Sequence, residues 1–143
     1  MRWQSSRSIQ APSDRVFRTV ADPEEFQKAI PGGSSVEYLT PNHDGVGAKF
    51  RATRVTNGKA AAFDQEVTEF VPGKRVRLVN VTHGTVWDSV FEVRPAGSTT
   101  ELSLTMDARP GHLLGRIMNR LIAGMVQRAL DQDLDSVKAH CEK

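Results

Sequence analysis

The sequence predicts an α+β domain: a seven-stranded antiparallel sheet, two short helices after the first strand, and one long closing helix. Three observations carry that expectation. From Ser34 to Arg109 the apolar residues recur at every second position. The segments so patterned are separated by turn chemistry. From Leu113 to His140 the apolar spacing changes to three and four. A period of two marks half-buried strands, and a period near 3.6 marks a helix with one buried side. The 143 residues suit a single domain spanning 1–143, with no Pro/Gly/Ser-rich linker and no fixed-period repeat.

The first strand is read in the polar stretch Trp3 to Gln10, ended by Ala11-Pro12. A helix follows from Ser13 to Ala21, with Val16, Phe17 and Val20 on one face. Asp22-Pro23-Glu24-Glu25 starts a second helix, with Asp22 as cap, Pro23 at the first position and Glu25 completing a capping-box arrangement. Phe26 and Ile30 lie on this helix, and Pro31-Gly32-Gly33 stops it. Six strands are then expected at Ser35–Thr40, Ala48–Thr56, Lys59–Val71, Arg75–Thr82, Thr85–Arg94 and Thr99–Ala108. Asn57-Gly58, Pro72-Gly73, His83-Gly84 and Pro95-Ala96-Gly97 separate most of them, as hairpins require.

Alternation assigns faces. Trp87, Ser89, Phe91 and Val93 oppose Asp88, Glu92 and Arg94, and Leu102, Leu104, Met106 and Ala108 oppose Glu101, Ser103, Thr105 and Asp107. Phe63, Gln65 and Val67 share an inward face, as do Phe50, Ala52 and Arg54. Val76, Leu78 and Asn80 are assigned inward, although Val79 and Val81 leave that strand ambiguous. In the last helix Leu114, Ile117, Met118, Leu121, Ile122, Met125 and Ala129 form one stripe. Leu130, Leu134, Val137 and Cys141 fall on a rotated face, expected to pack on the two short helices.

Much chemistry is excluded. One cysteine forms no internal disulfide and no cysteine-based zinc site. His43, His83, His112 and His140 are scattered without metal-ligand spacing, so no metal and no cofactor is expected. No catalytic constellation stands out: Asp88 alternates with Trp87 and Ser89 and should face solvent. Phosphate-binding glycine motifs are missing. The net charge is only +2, and the outer-face cations Lys49, Arg51, Arg75 and Arg77 lack interleaved aromatics, which argues against nucleic acid. The longest clean apolar stretch, Leu121 to Val126, is too short for stable membrane insertion. Met1-Arg2-Trp3-Gln4 lacks a signal-peptide core, so a cytoplasmic location is expected.

This layout resembles the helix-grip fold of the START-like, or SRPBCC, superfamily, which includes polyketide cyclase/dehydrase-like and lipid-transfer proteins. Ser8 to Phe17 resembles that family's opening strand, Ala-Pro and first helix. Gly45-Val46-Gly47, Val67 to Pro72, Gly97 to Leu102, and Leu134 to Lys138 with Glu142 resemble its later landmarks. Asp22-Pro23-Glu24 with Ile30-Pro31-Gly32 is similar to the variant in those members that are classed with carbon monoxide dehydrogenase. The resemblance implies a curved sheet wrapped around the last helix, with a tunnel between them. Its lining would be Phe50, Phe63, Val67, Leu78, Trp87, Phe91, Leu102, Leu104 and Met106 from the sheet and Met118, Leu121 and Met125 from the helix. Gln65, Asn80, Ser89 and Arg54 would supply polar contacts, with Arg54 either meeting an anionic group or reaching water at its strand end. The same inward residues would equally fill a packed core. The expected function is binding or transport of a small hydrophobic molecule such as a lipid, quinone or aromatic polyketide, by a monomer or homodimer with no identified protein partner. Two alternatives stay open: a cyclase/dehydrase-type enzyme, and a non-catalytic accessory or assembly protein of a larger complex.

Overall fold

The computed structural model describes the backbone of residues 1–143 except 33, 57, 83, 111 and 112, and the side chains of all but those and 34, 56, 110 and 113–122. The chain forms β1 (Arg2–Ile9), α1 (Ser13–Ala21), α2 (Pro23–Ala29), β2 (Ser34–Tyr38), β3 (Lys49–Thr56), β4 (Lys59–Val71), β5 (Arg75–Thr82), β6 (Thr85–Ala96), β7 (Thr99–Pro110) and α3 (Leu113–Cys141). The seven strands make one antiparallel sheet in the order β1-β7-β6-β5-β4-β3-β2. Strands β2 to β7 are the expected meander, and β1 closes onto β7 through Trp3↔Met106 and Arg7↔Leu102.

Asp22 joins the two short helices, but differently from a capping box. Its carboxylate accepts from Glu24 N at 3.0 Å, while its own N–H donates back to Arg18 O at 3.0 Å. That N–H is therefore already satisfied, and Glu25 pairs with Lys28 at 3.1 Å instead of returning to it. Strand β4 carries a bulge between Val67 and Glu69. The extra residue reverses parity, so Phe70 pairs inward with Val76 and meets Phe17 of α1 edge-on at 5.6 Å. On β5, Leu78 and Asn80 take the inward face, and Val81 is left 68% exposed.

The core sits where α1 and the last turns of α3 close one end of the sheet. Ile9, Val16, Val76, Val93, Leu102, Leu104, Leu134 and Val137 are all buried there. As expected, the face carrying Leu134, Val137 and Cys141 packs away from the middle of the sheet: Cys141 Sγ lies 3.4 Å from Thr19 Oγ1. It also runs along β1, where Lys138 Nζ donates to Ser8 O, Gln127 Nε2 to Gln4 O and Arg7 Nε to Asp135. These contacts cover the β1 edge, whose unpaired groups would otherwise invite pairing with another chain. Near the other end of β1, Trp3 Nε1 donates to Ala123 O at 3.0 Å.

The outer face is a lattice of ion pairs. Lys49 faces Glu66, Arg51 faces Asp64, Arg75 faces Glu69 and Arg77 faces Asp88, so the basic patch seen in sequence is neutralised position by position. Asp88 does point outward, yet it is not solvated. It is only 4% exposed, held by both nitrogens of an Arg77 fork and flanked by Arg109 at 3.6 Å. The Arg77 hydrogen bonds hold its pKa below the usual carboxylate range, which keeps it anionic.

Candidate functional site

Sheet curvature leaves the middle and far end of the inner face out of reach of the packed helix turns. A cavity of about 620 Å³ remains there, within the usual range for small-molecule sites. The strands contribute alternate residues, as the pleat dictates: Phe50, Ala52 and Arg54 from β3, Phe63 and Gln65 from β4, and Leu78, Asn80 and Thr82 from β5. Thr85, Trp87, Ser89 and Phe91 come from β6, and Leu104 and Met106 from β7. Helix α3 faces the cavity with Val126, Ala129, Leu130 and Asp133, a helical stripe at three- and four-residue spacing. Val20 and Ala21 of α1 and Pro23, Phe26 and Gln27 at α2 close the side. Phe26 is positioned edge-on to Phe91, ring centres 5.8 Å apart. Trp87 is backed by Trp3, stacked at 6.0 Å and 21°.

The polar groups fall into two stations. In the first, Arg54 Nη2 donates to Asp133 Oδ1 at 3.1 Å, and the guanidinium lies 5.8 Å from the centre of the Phe26 ring. Burial pushes the Asp133 carboxyl above its ordinary pKa, against the pull of Arg54. In the second, Thr82 Oγ1 donates to Asn80 Oδ1 at 3.0 Å and Asn80 Nδ2 donates to Gln65 Oε1 at 3.4 Å. Ser89 stands between them and the core, with Leu78 and Met106 as its cross-strand neighbours. No group of three or more His, Cys, Asp or Glu side chains among the described residues is placed to hold a metal ion.

The expected lining divides three ways. Phe50, Arg54, Phe63, Gln65, Leu78, Asn80, Trp87, Ser89, Phe91, Leu104 and Met106 meet around the cavity. Val67 and Leu102 share the inward face but lie in the packed core, 3% and 0% exposed, because they sit too deep along their strands. Met125 is a correction: it is 61% exposed, since the cavity-facing stripe of α3 runs through Val126 and Ala129 beside it. Met118, Leu121, Arg116, Arg120, His83 and His112 lie outside the described side chains.

Sequence reasoning does not reach Asp133. Its signal is an acid one turn beyond Ala129 on a helix face otherwise apolar, matching an arginine on the inward parity of β3. Arg54 accordingly does not simply reach water at its strand end; it is folded in against Asp133 and Phe26.

Comparison with known proteins agrees with this geometry. The family described as polyketide cyclase / dehydrase and lipid transport matches residues 2–142. Among solved structures, protein CV1439 from Chromobacterium violaceum is 24% identical with a TM-score of 0.72, covering 100% of this chain and 99% of that one. Ara h 8.0201 superimposes with a TM-score of 0.79 at 14% identity, over 99% of this chain and 97% of that one. The di-domain ARO/CYC protein BexL of the BE-7585A biosynthetic pathway does so with a TM-score of 0.76 at 18% identity, over 97% of this chain and 45% of that one. At such identities the likeness shows the fold, a curved sheet gripping a C-terminal helix. No curated protein matches the sequence.

Proposed function

The chain belongs to the polyketide cyclase/dehydrase and lipid transport family, and from that premise we propose that it binds a small hydrophobic molecule between the sheet and α3. The observation that carries this reading is the cavity itself: about 620 Å³ walled by Phe26, Phe50, Phe63, Leu78, Trp87, Phe91, Leu104 and Met106, with polar groups at only a few positions. An accessory role would have left the interior filled. Burial drives binding at about 0.8 kcal/mol per methylene, before association costs. Gln65, Asn80, Thr82, Ser89 and Arg54 orient the ligand, a lipid, quinone or aromatic polyketide. Met106 adapts the wall to its shape, being unbranched and polarizable.

One observation favours a second reading, a cyclase/dehydrase-type enzyme: Asp133 places a carboxyl of raised pKa on the cavity wall. Turnover of a bound polyketone that stops in Asp133→Asn while binding persists would select the enzyme.

The test of the binding reading is native mass spectrometry of the purified protein, followed by organic extraction and calorimetric titration with fatty alcohols, quinones and flavonoid-like aromatics. We expect a one-to-one complex that is lost in Met106→Trp. A protein that emerges empty and stays empty with every class refutes the reading.

A further inference from the structure

The described cavity wall carries one cation and one anion, and they are paired with each other. Arg54 donates to Asp133 through Nη2 only; Nε and Nη1 have no partner among the described residues, and neither does Asp133 Oδ2. The pair is partly sheltered, with side chains 31% and 23% exposed, and its charges cancel. The second station, Gln65, Asn80 and Thr82, consists of amides and a hydroxyl and is also uncharged.

This charge balance decides which head group fits. A ligand carboxylate would have to sit against Asp133 or displace it from Arg54, and stripping one partner from a sheltered pair leaves a costly uncompensated charge. A hydroxyl or carbonyl leaves the pair intact. Its oxygen accepts from the free guanidinium N–H groups, and a hydroxyl hydrogen also donates to Asp133 Oδ2. The face of Phe26 beneath the guanidinium gives the adjoining apolar skeleton a surface to pack on.

We propose that Asp133 is the specificity-determining residue of the cavity: by neutralising Arg54 it selects an uncharged oxygenated ligand, an apolar alcohol, phenol or ketone, over the carboxylate of the same skeleton. The inference rests on the cavity being the ligand site.

The experiment is calorimetric titration at pH 8 of two matched pairs, 2-naphthylmethanol with 2-naphthoate and decan-1-ol with decanoate. The wild-type protein is expected to favour each alcohol by at least tenfold. Asp133→Asn, nearly isosteric, frees the Arg54 charge and should shift the ratio at least tenfold towards the carboxylate. Adding Arg54→Gln should remove that gain. The wild-type ratio decides even without a folded variant: equal binding, or preference for the carboxylates, overturns the inference while leaving the binding reading standing. A ratio unchanged in folded Asp133→Asn overturns it too. Binding of no probe by any of the proteins overturns the cavity reading, and this inference with it.

Discussion

Replacing Ser89 with isoleucine separates a ligand cavity from a packed core by the sign of one number. Ser89 lies on β6 between Leu78 and Met106 and lines the cavity. Its hydroxyl has no partner among the described residues, so removing it strands nothing. Isoleucine puts three carbons where the hydroxyl was, worth about 2.4 kcal/mol if fully buried. One side of the new chain still faces open space, which roughly halves the gain, and ordering its rotamers costs about 0.5 to 1 kcal/mol. β-branching suits a strand and returns a few tenths, roughly. The ligand-free variant should therefore be more stable by about 0.5 to 1 kcal/mol, raising Tm by roughly 2 to 5 °C. In a wall already packed to native density the same insertion would destabilise by about 1 to 3 kcal/mol. Urea unfolding followed by circular dichroism on extracted protein measures the difference. A lowered midpoint refutes the cavity argument. Ligand affinity should move the other way, falling as free volume is lost.

Asp88→Asn tests the outer ion-pair lattice. The Arg77 hydrogen bonds depress the Asp88 pKa, so its stabilisation is present above the ordinary carboxylate pKa and lost as pH falls through the folded value. Because Arg77 is partly exposed, the expected loss at pH 7 is discounted to about 1 to 2 kcal/mol, and it should shrink below roughly pH 4 in a pH series of urea melts. Gly32→Ala should cost about 1 to 3 kcal/mol, since Gly32 has φ +99° and a Cβ there would lie 3.0 Å from Val55 O; an unchanged urea midpoint counts against that turn geometry. Leu134→Ala, at a fully buried site between α3 and the core, should cost about 2 to 5 kcal/mol by the same assay without altering which ligands bind.

The sheet is legible in the sequence because turn residues and alternation are local signals. Gly58, Gly73, Gly84 and Gly97 all adopt the positive φ that their hairpins need. Alternation fixes the face a side chain takes but not its depth along the strand, which is why Val67 and Leu102, expected in the lining, are core instead. Depth depends on where α1 and α3 close the sheet, a tertiary fact. The β4 bulge is invisible for a related reason: one extra residue reverses parity at Phe70 without any change in composition. Helix phase fails at Met125, where a stripe fitted to the whole of α3 includes a residue just outside the face that meets the cavity. Asp133 escapes notice because two charges 79 residues apart each look like an ordinary solvated residue until the fold brings them together.

The stacking of Trp3 on Trp87 has a consequence for observing this protein. The chain has two tryptophans and both are in that stack, with Trp87 on the cavity wall and Trp3 bonded to the Ala123 carbonyl of α3. All of the indole emission therefore originates at one place, where the wall, the edge strand and the long helix meet. A quinone or aromatic ligand entering the cavity should quench that emission directly, and a shift of α3 against β1 should alter the exciton-coupled circular dichroism of the two rings. The fold thus carries an intrinsic optical reporter of cavity occupancy, readable by stopped flow without a label or a substitution.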